Sequence, residues 1–210
     1  MSLFRLLFLS LLPGLLLTAC ISRSAPEVSY YLLEYKSEGE LERLVVAEPL
    51  AGQVHIDDTE LPRAFVRRQI VNRLEGQEFR YLRDHLWGDD LSETIPRLIE
   101  SRIRRYGLFE RTTRNFNRSR EGYEIRSRLD RLEFVQWGST SAALVEIEFE
   151  LIDLETKESL IRRNERRREE LESRRVSDFV ALANRIMLSE IDAFLTQVAE
   201  SLVATESDAN

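Results

Sequence analysis

One thiol among 210 residues stands where its position specifies a chemistry. Cys20 follows Leu17, Thr18 and Ala19 and closes a Leu-rich run over residues 6–17. A cysteine sulfur at that point can take a diacylglyceryl group, and the small side chains at 18 and 19 let a peptidase reach the preceding bond. Arg5 supplies a short positive segment ahead of the run. The run is too short to span a bilayer, which takes about 20 apolar residues, and has the length of a signal-peptide core. Leu17-Thr18-Ala19-Cys20 therefore reads as a lipobox, with residues 1–19 removed and Cys20 left as a lipidated N-terminus. An ordinary signal peptide makes no demand for a cysteine, yet the chain's single cysteine falls at the position a lipobox requires. Full acylation passes the two-signal threshold for stable anchoring. Ile21 stands where Asp would favour inner-membrane retention in enteric-type bacteria, so that rule sends the protein to the outer membrane.

The other reactive groups assemble no site. His55 and His85 lie near no nucleophile motif and read as loop or surface histidines. Asp57-Asp58 reads as a turn pair and Asp89-Asp90 as the charged start of a helix, ahead of general acid or base work. No phosphate-cradling glycine pattern is present. One cysteine excludes an intramolecular disulfide, a Cys-rich zinc site and an iron–sulfur cluster, and two histidines argue against a His-rich metal centre. No cofactor is expected. Asn117-Arg118-Ser119 matches a glycosylation triplet that carries no weight in a bacterial lipoprotein.

Arginine dominates the basic residues, with 28 of 30, and residues 162–168 (RRNERRR) are the densest run. The first reading is a solvated strand face ion-paired to Glu165, Glu169 and Glu170. The alternative is contact with anionic headgroups or an acidic partner. The net charge of −7 argues against broad nucleic-acid binding. Trp87 reads as a core plug just before a helix, or as an anchor for a partner.

The elements that must position these groups follow from periodicity. Residues 20–27 are a short tether, 28–203 a single folded domain, and 204–210 a frayed tail. Strands are predicted over 28–35, 41–50, within 64–74, over 77–83 and over 108–114, with a loop at 51–62 and a turn at 115–122. Tyr123, Ile125, Ser127 and Leu129 share one parity, whereas Leu132 and Phe134 take the other. That shift predicts a β-bulge near Asp130-Arg131. Val145, Ile147, Phe149 and Leu151 alternate with glutamates as a strand with one wet face. Residues 159–175 have helix-forming composition but no apolar stripe. They read as a polar hairpin arm returning along that strand.

Leu91, Ile95, Leu98, Ile99, Ile103 and Tyr106 mark one face of a helix that Gly107 ends, with Pro96 either near its start or at a kink. A second helix is predicted from Ser177, as its cap, through Leu202. The order strands, helix, strands, helix predicts an α/β single domain. It would have two amphipathic helices on a mixed sheet of about five to seven strands.

Several short segments in order resemble a known family. They are the lipobox, Tyr30-Tyr31-Leu32-Leu33, Leu44-Val45-Val46, the Arg67-to-Arg73 segment RRQIVNR, Trp87-Gly88-Asp89-Asp90-Leu91, and an Ala- and Leu-rich final helix. Together they resemble the ABC-type transport auxiliary lipoproteins, the PqiC-like group. Gly88, Asp89 and Leu61-Pro62-Arg63-Ala64-Phe65 depart from that pattern. The resemblance implies a non-enzymatic lipoprotein working with an ABC permease, its ATPase and an MCE-domain periplasmic protein to move lipids or other hydrophobic molecules between membranes. It implies an α/β fold and no catalytic residue, and Cys20 is the site that carries over. A homo-oligomer is left open. The competing readings are an outer-membrane assembly lipoprotein and a lipid carrier with its own pocket.

Overall fold

The computed structural model describes residues 27–34, 49–114 and 121–208. Cys20, the signal segment, the tether up to residue 26, residues 41–48 of the strand predicted over 41–50 and residues 115–120 of the turn predicted over 115–122 lie outside the described residues.

Among the described residues eight strands form one mixed sheet: β1 (Ser29–Tyr31), β2 (Leu50–Ile56), β3 (Gln69–Arg73), β4 (Phe79–Trp87), β5 (Phe109–Thr113), β6 (Tyr123–Trp137), β7 (Thr140–Asp153) and β8 (Ser159–Leu171). Two helices, α1 (Leu91–Tyr106) and α2 (Val176–Asp208), complete the α/β domain. The fold class matches the sequence reading, with one strand more than its upper bound.

β6 organises the sheet. One edge pairs antiparallel with β7 along its whole length, and β7 pairs with β8. The other edge is shared. β2 runs parallel to its first residues and β3 parallel to its last. Between them the chain at residues 57–60 keeps the ladder filled: Asp57 and Glu60 donate their N–H groups to the carbonyls of Ile125 and Ser127, and Leu129 donates to Glu60. β5 extends the β2 branch, and β4 and β1 extend the β3 branch.

The parity shift in β6 is a bulge, with the register slipping between Leu129 and Arg131. It keeps Ile125, Leu129, Leu132 and Phe134 buried although their spacing changes from even to odd. The 51–62 loop is corrected: residues 50–56 are β2. Gly52, Asp57, Asp58 and Pro62 give residues 51–62 a turn-forming composition, but the strand character of 50–56 comes from parallel neighbours distant in sequence, β5 and β6.

α1 starts where the sequence places it. Asp90 caps it by accepting the Ser92 N–H at 2.9 Å, and Gly107 ends it in the left-handed conformation at φ 61°. Pro96 sits inside the helix and cannot donate to the carbonyl of Ser92, four residues earlier. The Thr59 N–H, from the chain beside β6, donates to that carbonyl at 2.9 Å instead. The proline's missing donor thus becomes a tie between α1 and the sheet.

Ser177 is not the cap of α2. The helix starts at Val176, the Arg175 carbonyl accepts from Asp178 and Phe179, and the Ser177 hydroxyl turns to Asp178. The helix then runs to Asp208, beyond the point at which a frayed tail was expected. Both helices pack on one sheet face. Phe179 stacks on Phe134 at 5.2 Å and Phe194 on Phe149 at 5.1 Å between ring centres.

Candidate functional site

β6, β7 and β8 turn a charged surface away from the helices. Val145, Ile147, Phe149 and Leu151 are buried, so strand alternation puts Glu146, Glu148 and Glu150 on the opposite face. The register then lines up three rows across the strands: Arg126–Glu150–Arg162, Arg128–Glu148–Asn164 and Arg131–Glu146–Arg166. Within them Arg162 reaches Glu150 at 2.6 Å, Arg131 reaches Glu146 at 3.0 Å and Arg128 reaches Glu148 at 3.4 Å. Hydrogen bonds from Ser159 and then from Arg162 hold the Glu150 carboxyl below the usual range.

The arginine run of β8 is divided by the same alternation. Arg162 and Arg166 face the glutamates of β7, whereas Arg163 and Arg167 reach Glu190 on α2 at 2.7 and 3.4 Å. Glu190 is buried, so these two arginines clamp the edge strand to the helix. The first reading of the run, ion pairing to glutamates, holds in kind. Its principal partners are Glu146, Glu150 and Glu190 rather than the neighbours in sequence alone.

The remaining candidates are accounted for individually. His55 bonds Asp57 through Nε2 at 2.9 Å, and His85 bonds the Tyr31 hydroxyl through Nδ1 at 2.9 Å. His55, Asp57 and Glu124 bring ligand atoms within 4.8 Å of one another. The Arg126 guanidinium already contacts both carboxylates, at 2.6 Å from Glu124 and 3.7 Å from Asp57, and supplies the positive charge a cation would bring. Asp58 pairs with Arg114 at 2.5 Å, and Asp89 with Arg97 at 3.6 Å.

Trp87 is the core plug: it is buried, 6.3 Å from Phe179 between ring centres, and its carbonyl accepts from Arg68 Nε. Sequence reasoning missed three surface aromatics, Trp137, Tyr30 and Phe79. Trp137 is 53% exposed at the β6–β7 turn, and the adjacent Gly138 was the signal for a hairpin tip there. Arg68 and Arg73 lie over the Tyr30 and Phe79 rings at 5.7 and 5.4 Å.

An open depression of about 650 Å³ has Glu121, Leu154, Glu155 and Lys157 in its wall. No described helix is long and apolar enough to cross a membrane. The geometry offers patterned charge and a few exposed aromatics for recognition.

Comparison with known proteins shows the fold and the family. Crystal structures with the same fold include protein XCC0632 from Xanthomonas campestris, at 14% identity and TM-score 0.69, covering 87% of this chain and 99% of that one. An uncharacterized protein matches at 10% identity and TM-score 0.63, covering 82% and 99%. PelC from Paraburkholderia phytofirmans, solved as a dodecamer, matches at 13% identity and TM-score 0.44, covering 75% and 92%. No curated protein matches the chain. The model of the family described as the ABC-type transport auxiliary lipoprotein component matches residues 31–193, and the chain belongs to that family.

Proposed function

We propose that this auxiliary component is lipidated at Cys20 and held on the periplasmic face of the outer membrane. There it docks the MCE-domain periplasmic protein of an ABC transport system that moves lipids or other hydrophobic molecules. The family match over residues 31–193 carries the reading. The lipobox supports the anchor, and Ile21 supports the outer membrane. Ion-paired carboxylates and arginines, with His55 bonded to Asp57 and His85 to the Tyr31 hydroxyl, support docking over catalysis. Cys20 to Val28 is a short span, at most about 3.5 Å per residue, so the domain rides close to the bilayer.

The test is an in-cell crosslink and pull-down of the full-length, C-terminally tagged protein, read by mass spectrometry. Recovery of an MCE-domain protein with a permease is the expected result. Recovery of a β-barrel protein in their place would move the assignment to outer-membrane assembly, and recovery of bound lipid alone would move it to a carrier. Cys20→Ala should abolish incorporation of radioactive fatty acid, and label that persists in this variant rejects the anchor.

A further inference from the structure

β8 ends the sheet. One edge pairs with β7, and no strand among the described residues occupies the other. It is a 13-residue strand, SLIRRNERRREEL, without proline or glycine. An open edge of that length invites pairing unless its charges forbid it. Here the charges select a register.

Two copies of one regular strand, paired antiparallel about a twofold axis, set residues of equal parity opposite each other. Alternate residues turn their N–H and C=O groups to the same edge, so the axis passes through a residue and not between two. With the axis at Arg166, Arg162 meets Glu170, Arg163 meets Glu169 and Glu165 meets Arg167, each twice by symmetry. Ile161 meets Leu171 and Asn164 meets Arg168, and the central Arg166 pair is the like-charged one. With the axis at Glu165, Arg162 meets Arg168 and Arg163 meets Arg167. With the axis at Arg167, Arg166 meets Arg168 and Glu165 meets Glu169. Opposite charges across a ladder stabilise it and like charges directly opposite destabilise it, so both neighbouring registers are disfavoured.

We propose that β8 pairs with β8 of a second copy of this chain in the antiparallel register centred on Arg166, joining two eight-stranded sheets into one. The charged rows then continue across the axis: Arg162 lies between Glu150 of its own sheet and Glu170 of the second copy. The side chains are available for this, with Arg162 and Arg166 60% and 58% exposed and Glu170 also exposed.

Disulfide capture in membranes of cells expressing the full chain tests the register. Opposite Cα atoms in an antiparallel pair lie about 4.5–5.5 Å apart, within disulfide range. After diamide treatment, Arg166→Cys should give a linked dimer, whereas Glu165→Cys and Arg167→Cys should not; the unsubstituted chain, treated alongside, accounts for any linking through Cys20. Adding Glu170→Arg or Arg162→Glu to the Arg166→Cys chain should each remove the dimer. Co-expressing those two double variants should restore it, because Arg and Glu then face each other again at both ends. The restoration also shows that neither variant is merely misfolded. An unlinked Arg166→Cys chain, or linking equal to it at 165 and 167, overturns the proposal.

Discussion

Glu133 and Glu190 are the carboxylates buried most completely, and each is held by arginine from another element. Arg73 grips Glu133 through two guanidinium nitrogens, its Nε at 2.9 Å. Arg73→Ala would leave that charge buried without its partner, at a cost of about 3–5 kcal/mol; urea denaturation should show it, and a loss below about 1 kcal/mol would mean water reaches Glu133. Two other carboxylates set opposite pH dependences. Burial pushes the Asp192 carboxyl up, against a hydrogen bond from Tyr106 and the Arg102 charge. Its contribution to stability is therefore full below the unfolded Asp value of about 3.9 and is lost as pH rises through the raised folded value. Unfolding measured from about pH 4 to 7 should find wild type losing ground to Asp192→Asn. Glu150, held low, contributes above the unfolded Glu value of about 4.3 and loses that contribution as pH falls through its folded value, so Glu150→Gln should flatten the acid limb. Residue types along the chain showed which groups carry charge, but not their partners. Arg163 finds Glu190 across 27 positions, and Arg73 finds Glu133 across 60. Such pairings exist only after the strands have met.

The elements most legible beforehand were those with local periodicity: α1, the body of α2, β7 and the bulged β6. β2 was lost because Gly52, Asp57, Asp58 and Pro62 give its stretch a turn-forming composition, while its partners lie more than fifty residues away. The join between β2 and β6 is tight at Gly122, which has φ +93°, and an added Cβ there would sit 2.4 Å from the Gln53 carbonyl oxygen. Gly122→Ala should therefore cost more than the roughly 1 kcal/mol of an ordinary glycine replacement, with hydrogen exchange accelerating first in β2 and the start of β6. At the other end of the chain, Leu202 is buried and Val203 exposed. Deleting residues 204–210 should leave stability within about 0.5 kcal/mol, as for surface changes in general. A stop that also removes Phe194, Leu195 and Val198, all fully buried, should prevent folding, as loss of the circular dichroism signal would report.

Across the whole molecule, one sheet face carries both helices and the other carries crossed rows of charge. This auxiliary component of ABC-type transport thus presents a face of arginines and glutamates paired across β6, β7 and β8. The arginines of the β6–β8 rows are about half exposed, so their ion pairs contribute little to stability. Replacing Arg162 and Arg166 together by Gln should cost less than about 1 kcal/mol in urea denaturation, and a larger loss would mean the rows act as a cooperative network. The end of the sheet that carries β1 is built differently. β1 pairs with β4 over three residues and lies at an outer edge, with a Tyr31–His85 hydrogen bond and two bonds between Glu34 and Asn184 nearby. Whatever holds the N-terminus pulls on the domain through this strand. Under load β1 should shear first, because it holds β4 over three residues, while the fourteen-residue β7 and its two long neighbours stay zipped. With the proposed anchor at Cys20, the edge strand would act as a mechanical fuse: its three residues would peel from β4 and lengthen the leash before force reaches Leu33, which is buried in the core.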